Sequence, residues 1–249
     1  MEKKKIIFMG GKPIGYKCLS ILADKNVDII AVIPNNRHGW WEDDVSQLAK
    51  QKNIPIINLE NALEYDVDFI FSIQFNQILK KDILELPKRG AINLHMAPLP
   101  EYRGSNQFSF AIINQEKEFG TTLHYMNEGV DSGDIIAQKR FGIPDDITVK
   151  DLYKMTEDAS FDLFKETIDS ILELNIESIS QDKLVDGEKT YFYKRSDIDK
   201  VKEIKPNWDL QKIYRYVRAL DFPPFEPPYF KFEDKKIYLT IDYFRGGKE

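Results

Sequence analysis

Four apolar runs, IIFMG (6–10), DIIAVIP (28–34), DFIFSIQ (68–74) and AINLH (91–95), alternate with helical patterns through the first half of the chain. A run with so few polar interruptions is buried on both faces. Such strands, separated by helices, form a parallel sheet covered on either side. Between them, PIGYKCLSILADK (13–25) places Ile14, Cys18, Ile21 and Leu22 at helical spacing. DVSQLAKQKN (44–53) predicts a short helix, IPIINL (54–59) a further strand, and NQILKKDILELP (76–87) a helix ending at Pro87. The loop NNRHGWWEDD (35–44) separates the second strand from its helix. In sheets of this kind ligands bind beyond the carboxyl ends of the strands. His95 closes the AINLH strand there, with Asn93 on the same face because strand side chains alternate.

The second half reads differently. SNQFSFAIINQ (105–115) predicts a helix capped by Ser105. GTTLHYMN (120–127) and DIIAQKRFGI (134–143) predict antiparallel strands around the EGVDSG loop. The stretch 148–174 predicts a long helix capped by Thr148, with Asp151 in its first turn and Leu152, Met155, Ala159, Leu163 and Ile168 along one face. Composition shifts near 180, which divides the chain into a main domain, 1–180, and an extension, 181–249. NWDLQKIYRYVRAL (207–220) predicts a helix capped by Asn207. The proline-rich DFPPFEPPYF (221–230) predicts no regular element, and KFEDKKIYLTIDYF (231–244) a β-hairpin. The fold class expected is α/β: a Rossmann-like, mostly parallel sheet with a small helix-and-hairpin extension.

With 249 residues and a net charge of −6, the chain can bury a substantial core but carries no excess of cations to track a polyanion. That weakly disfavours nucleic acid, whereas a small anionic ligand needs only one or two local cations. The single cysteine, Cys18, excludes an intramolecular disulfide and any multi-cysteine metal site, and its apolar setting predicts core packing. The start MEKKKIIFMGG has too short an apolar stretch for a secretory signal, and no run is long enough to span a membrane; a cytoplasmic protein is expected.

The glycines of GGKPIG (10–15) follow the first strand but do not spell G-x-G-x-x-G, and Lys12 precedes proline rather than Ser or Thr. The segment is a strand-to-helix turn, with contact to a phosphate left open. His38 and His124 lack neighbours at metal-ligand spacing and read as structural. Asn93 and His95 offer an amide donor for a developing oxyanion and a base near neutral pH. Asp131 lies in G-V-D-S-G, and spacing alone fits a turn aspartate as well as a carboxylate that holds an imidazole.

NLHMAPLPEYRG (93–104) followed by GTTLHYMNEGVDSGDII (120–136) resembles the folate-dependent formyltransferases. That resemblance covers roughly 6–175. It implies an Asn93–His95–Asp131 catalytic triad, 10-formyltetrahydrofolate as formyl donor, and no metal. Met96 stands where many members have proline. By the same resemblance, Ser72, Gln74, Phe75, Ile78 and Asp131 would hold the folate. RGSNQFSFAIIN and the tail RALDFPPFEPPYFKFEDKKIYL resemble the nucleotide-sugar N-formyltransferases, whereas too few residues follow 180 for the further barrel of the methionyl-tRNA enzymes. The implied acceptor is a dTDP-linked amino sugar for O-antigen or lipopolysaccharide assembly, with a lean to 4-amino-4,6-dideoxyglucose; the 3-amino sugar and methionyl-tRNA are the alternatives. Lys12, Lys80 and Arg103 would face its diphosphate, and Ser105 and Asn106 the acceptor. Trp40, Trp41, Phe222, Phe225 and Tyr229 are candidates to stack on the base. A homodimer through the hairpin, with no nucleic acid and no membrane as partner, completes the expectation.

Overall fold

The computed structural model describes residues 3–35, 45–184 and 190–244. His38, Trp40 and Trp41 lie outside the described residues. The chain begins β1 (Lys4–Gly10), α1 (Lys12–Ala23), β2 (Val27–Pro34), α2 (Val45–Gln51), β3 (Phe69–Ile73), α3 (Lys81–Leu84) and β4 (Gly90–His95). It continues with β5 (Tyr102–Gly104), α4 (Gln107–Ile113), β6 (Glu118–Tyr125), β7 (Ile135–Gly142) and α5 (Val149–Leu172). The last elements are β8 (Tyr191–Tyr193), β9 (Glu203–Ile204), α6 (Leu210–Leu220), β10 (Tyr229–Phe232), β11 (Lys235–Tyr238) and α7 (Ile241–Phe244).

Six strands form one sheet in the order β2-β1-β3-β4-β6-β7. The first four are parallel, and β6 and β7 add an antiparallel edge. On one face Ile6, Phe8, Phe69 and Phe71 pack with Cys18 and Leu22 of α1 and Phe164 and Ile168 of α5. On the other, Ile7, Met9, Ile70 and Ala91 pack with Ala62 and with Leu79 and Ile83 near α3. Each fully buried Ile or Phe contributes about 1.5–3 kcal/mol, so two-sided burial is what holds these runs as central strands. A separate core joins Tyr102, Phe110 and Phe119 to Ala219 and Leu220 of α6. Residues beyond 180 also pair directly with the main sheet's neighbourhood, through β5 and β8. Among the described residues, no helix is long and apolar enough to cross a membrane.

Several local expectations change. IPIINL forms a single bridge, Val32 to Ile56, rather than a strand, because Pro55 has no N–H to extend a ladder. The helix expected over 76–87 shrinks to Lys81–Leu84: Lys80 is extended at its start, and the Asn76 N–H is held by Asn35 Oδ1 at 2.9 Å. Ser105 does not cap α4. The cap is Asn106, in the left-handed region at φ 60°, and its side chain bonds the Arg195 carbonyl instead. Asn207 falls in a turn, and the Asp209 carboxylate caps α6 by accepting the Lys212 N–H. Thr148 does cap α5, accepting the Asp151 N–H. Met155 and Ala159 are only half-buried; Thr156 and Ser160 face the sheet, with Ser160 Oγ 2.7 Å from Thr121 Oγ1. The hairpin starts at Tyr229, inside the stretch expected to be irregular, and ends at Tyr238 before α7.

Candidate active site

Strand register brings three polar side chains into a row: Asn93 on β4 pairs with Ser72 of β3 on one side and His124 of β6 on the other. Asn93 Nδ2 lies 3.0 Å from His124 Nε2, and His124 Nδ1 lies 2.7 Å from the Tyr125 carbonyl. A carbonyl only accepts, so the ring proton sits on Nδ1 and Nε2 accepts one Asn93 N–H. Burial, reinforced by His95 nearby, pushes the His124 pKa down to about 4. The ring is therefore neutral at pH 7, its tautomer is set, and the Asn93 amide is held in one orientation with its second N–H to spare.

His95 is built by the same logic. Its Nε2 lies 2.8 Å from the Tyr102 carbonyl and so carries a proton. Nδ1 faces Asp131 Oδ1 at 3.6 Å, too long for a hydrogen bond, so the Nδ1 lone pair is not tied to a donor by this contact. Asp131 Oδ2 accepts the Gly104 N–H at 2.9 Å. His95 is 6% exposed, so charge developing here is weakly screened. Asp131 itself adopts φ 50°. The glycines around it serve the chain rather than a ligand: a Cβ on Gly133 would lie 1.9 Å from the Tyr125 carbonyl oxygen, and one on Gly104 2.2 Å from that of Tyr193.

Chain order reverses between β1 and β3, the topological switch of the sheet. There Lys12 and Gln74, both non-glycine residues at positive φ, join through Lys12 Nζ to Gln74 Oε1 at 2.7 Å. Asn35 braces this crevice, donating to the Gln74 carbonyl and accepting from Asn76. Burial lowers the Lys12 pKa, Glu157 opposes that, and the Arg195 cation adds to it. Of the eight non-glycine residues at positive φ among the described residues, Lys12, Gln74 and Asn106 lie just past β1, β3 and β5, and Asp131 lies in the loop between β6 and β7.

Beside the Asp131 loop lies a cleft of about 420 Å³, lined by Lys81, Leu84, Glu85, Met126, Asn127, Glu128 and Gly129. Ile78 is 86% exposed at the end of the β3 segment, while Phe75 packs into the adjoining core. Ser72 is buried beside Asn93. Lys80 is exposed, and its carbonyl accepts from the Ile83 and Leu84 N–H groups at the start of α3.

The aromatic candidates separate into two groups. Lys12 lies over the Tyr153 ring, Tyr153 contacts Phe222, and Phe222 contacts Phe225, which is 58% exposed. Tyr153 also packs on Phe108 of α4, so this run borders the switch crevice. Tyr229 instead packs against Tyr238 and Lys236 within the hairpin. The buried Arg103 Nε has no hydrogen-bond partner among the described residues. The Ser105 N–H is spent on the Tyr193 carbonyl. Sequence reasoning missed His124, Tyr153 and Arg195. The first becomes visible only in the register of β6 against β4, whereas the basic YFYKRSD stretch was a sequence signal for the last. Among the described residues, no cluster of three or more His, Cys, Asp or Glu could hold a metal ion.

The family model for formyl transferases matches residues 4–168. Methionyl-tRNA formyltransferase of Clostridioides difficile is 34% identical over 186 residues, which cover 69% of this chain and 60% of that protein's length. Two solved structures superpose over 95% of this chain. The sugar 3-N-formyltransferase WlaRD, in the presence of dTDP and 5-N-formyl-tetrahydrofolate, has a TM-score of 0.78 at 27% identity, with 85% of its chain covered. The N-formyltransferase from Helicobacter canadensis, with folinic acid and dTDP-3-aminofucose, has a TM-score of 0.77 at 29% identity, with 86% covered.

Proposed function

The chain belongs to the formyl transferase family, and from that premise we propose that it moves a formyl group from 10-formyltetrahydrofolate to the amine of a dTDP-linked amino-dideoxy sugar. The observation that carries the chemistry is the Asn93–His95–Asp131 cluster, with one Asn93 N–H and His95 Nδ1 both uncommitted to hydrogen bonds. The folate supplies a formyl carbon bonded to nitrogen, an acyl group open to attack by an amine. The spare Asn93 N–H meets the formyl oxygen as negative charge develops there, an interaction worth about 10²–10³ in rate. His95 Nδ1 takes one proton from the attacking amine, and Asp131 Oδ1 stabilises the imidazolium. His95 then returns a proton to the departing nitrogen, so protons balance over the cycle.

For the donor, exposed Ile78 offers an apolar contact for a flat ring, and a surface cleft of about 420 Å³ adjoins the loop that carries Asp131, although Ser72, Gln74, Phe75 and Ile78 do not line that cleft. For the acceptor, the Lys12–Tyr153–Phe222–Phe225 run suits a nucleotide, with a cation at one end and a stacking face at the other. The Arg103 Nε offers a buried donor to a phosphate. The two sugar enzymes at 27% and 29% identity support a dTDP-linked amino sugar as acceptor, with the 4-amino-4,6-dideoxy sugar and the 3-amino sugar as the two candidates. Residues 181–249 are proposed to bind the acceptor and pair the subunits. Exposed Phe232, Ile237 and Tyr238 on the hairpin support that interface.

The 34% identity to a methionyl-tRNA enzyme favours a second acceptor, charged tRNA. Against it, residues 181–249 hold 15 Lys and Arg beside 13 Asp and Glu, close to neutral for a surface that would track phosphates. Incubating the protein and 10-formyltetrahydrofolate with dTDP-3-amino and dTDP-4-amino sugars and with methionyl-tRNA, followed by mass spectrometry, decides between them. One formyl group gained by a dTDP-sugar is expected; formylation of the tRNA alone overturns the proposal.

A further inference from the structure

Gln181 opens a short 3-10 turn, Gln181–Lys183, beyond α5 and well away in sequence from the triad. It is 5% exposed, and its Nε2 donates to two carbonyls of the Asp131 loop: Asp131 O at 3.0 Å and Gly133 O at 2.7 Å. Two acceptors on one side determine the amide's orientation, because only the nitrogen can face both. The carbonyl end, Oε1, is buried with no hydrogen-bond partner among the described residues, so the contacts that hold the side chain are those of its donors. The segment is stitched in place by a reciprocal backbone pair, Ile135 N–H to Ile179 O and Ile179 N–H to Ile135 O, each 2.8 Å.

We infer that Gln181 is a positioning residue for formyl transfer, acting through Asp131. Asp131 holds a left-handed φ of 50°, a conformation aspartate tolerates better than most residues but which leaves the loop several alternatives unless its groups are held. The Gly104 N–H grips the side chain at Oδ2, and Gln181 grips the backbone from the other side. Together they set Oδ1 opposite His95 Nδ1. Without the two donors, two carbonyls lose their partners and the loop is free to relax. A shift of about 1 Å in a catalytic group can cost about 10²-fold in rate. This inference rests on Asp131 acting in the reaction, and concerns a residue outside the triad.

The test uses the full chain with Gln181→Met, which matches the shape without donors, and Gln181→Glu, which sets oxygens against the two carbonyls. Amide hydrogen exchange of the 126–135 segment is measured without donor or acceptor, so it reads the anchor whatever the acceptor proves to be. Faster exchange in that segment is expected, together with a fall in kcat of about 10- to 100-fold and acceptor KM within about threefold. In an Asp131→Asn background the same substitution should change kcat by less than about twofold, because the two act as a unit. Unchanged exchange in both variants overturns the anchor. Faster exchange with wild-type kcat, or an undiminished loss in the Asp131→Asn background, overturns the positioning role. Should neither variant fold, Gln181→Asn, too short to reach both carbonyls, must show the same split or the inference fails.

Discussion

The strand-end site and the C-terminal hairpin are opposites in construction. At the site, His95 and His124 are buried and each ring has one nitrogen committed to a backbone carbonyl. In the hairpin, Phe232 is 64% and Ile237 54% exposed, and the polar contacts are surface pairs such as Lys236 with Glu226. Buried groups with set partners need no reorganisation when charge develops, whereas exposed pairs contribute little stability. On the proposed function, catalysis belongs to the first region and recognition of acceptor or partner subunit to the second.

The largest effect should come from the triad. Asn93→Ala and Asp131→Asn are each expected to lower kcat by about 10²–10³ or more, while melting within a few degrees of wild type, in a steady-state assay paired with thermal denaturation. A wild-type kcat in both would remove the distinction between the regions.

His124→Leu comes next. Loss of the acceptor frees the Asn93 amide to turn, and kcat should fall by about tenfold or more. The same residue carries a pH signature. Its folded pKa, about 4, lies below the ordinary 6.5, so the unfolded chain takes up the proton first. Its contribution to stability is complete above pH 6.5 and is lost as pH falls towards 4. Melting curves across that window should show a shallower fall for His124→Leu than for wild type.

Phe225→Ala tests the recognition side. Loss of one stacking face costs about 1–3 kcal/mol, so acceptor KM should rise by about tenfold with kcat within about twofold. A fall in kcat with unchanged KM would place Phe225 in the chemistry and blur the comparison. The smallest effect on turnover is expected from Phe232→Ser with Ile237→Ser. Sedimentation should show a dimer for the wild type and its loss in the variant, with kcat within about twofold.

Much of the architecture is legible along the chain. The apolar runs that form β1 to β4 tolerate no other placement, and Thr148 caps α5 because its partner, Asp151, is three residues away. Local reading failed where a distant group intervened. Asn76 is held by the side chain of the distant Asn35, and Asn106 gave its side chain to the Arg195 carbonyl. His124 read as a structural histidine because nothing near it in sequence announces Asn93.

Periodicity alone placed Asn93 and His95 on one face at a strand's carboxyl end, because alternation is a property of any extended chain. It left Asp131 as a possible turn residue. Bringing that carboxylate to 3.6 Å from His95, choosing the His124 tautomer and anchoring the loop through Gln181 were decided by tertiary structure. Each depends on a carbonyl or amide supplied by a remote segment, and such pairings follow from how the layers pack rather than from local pattern.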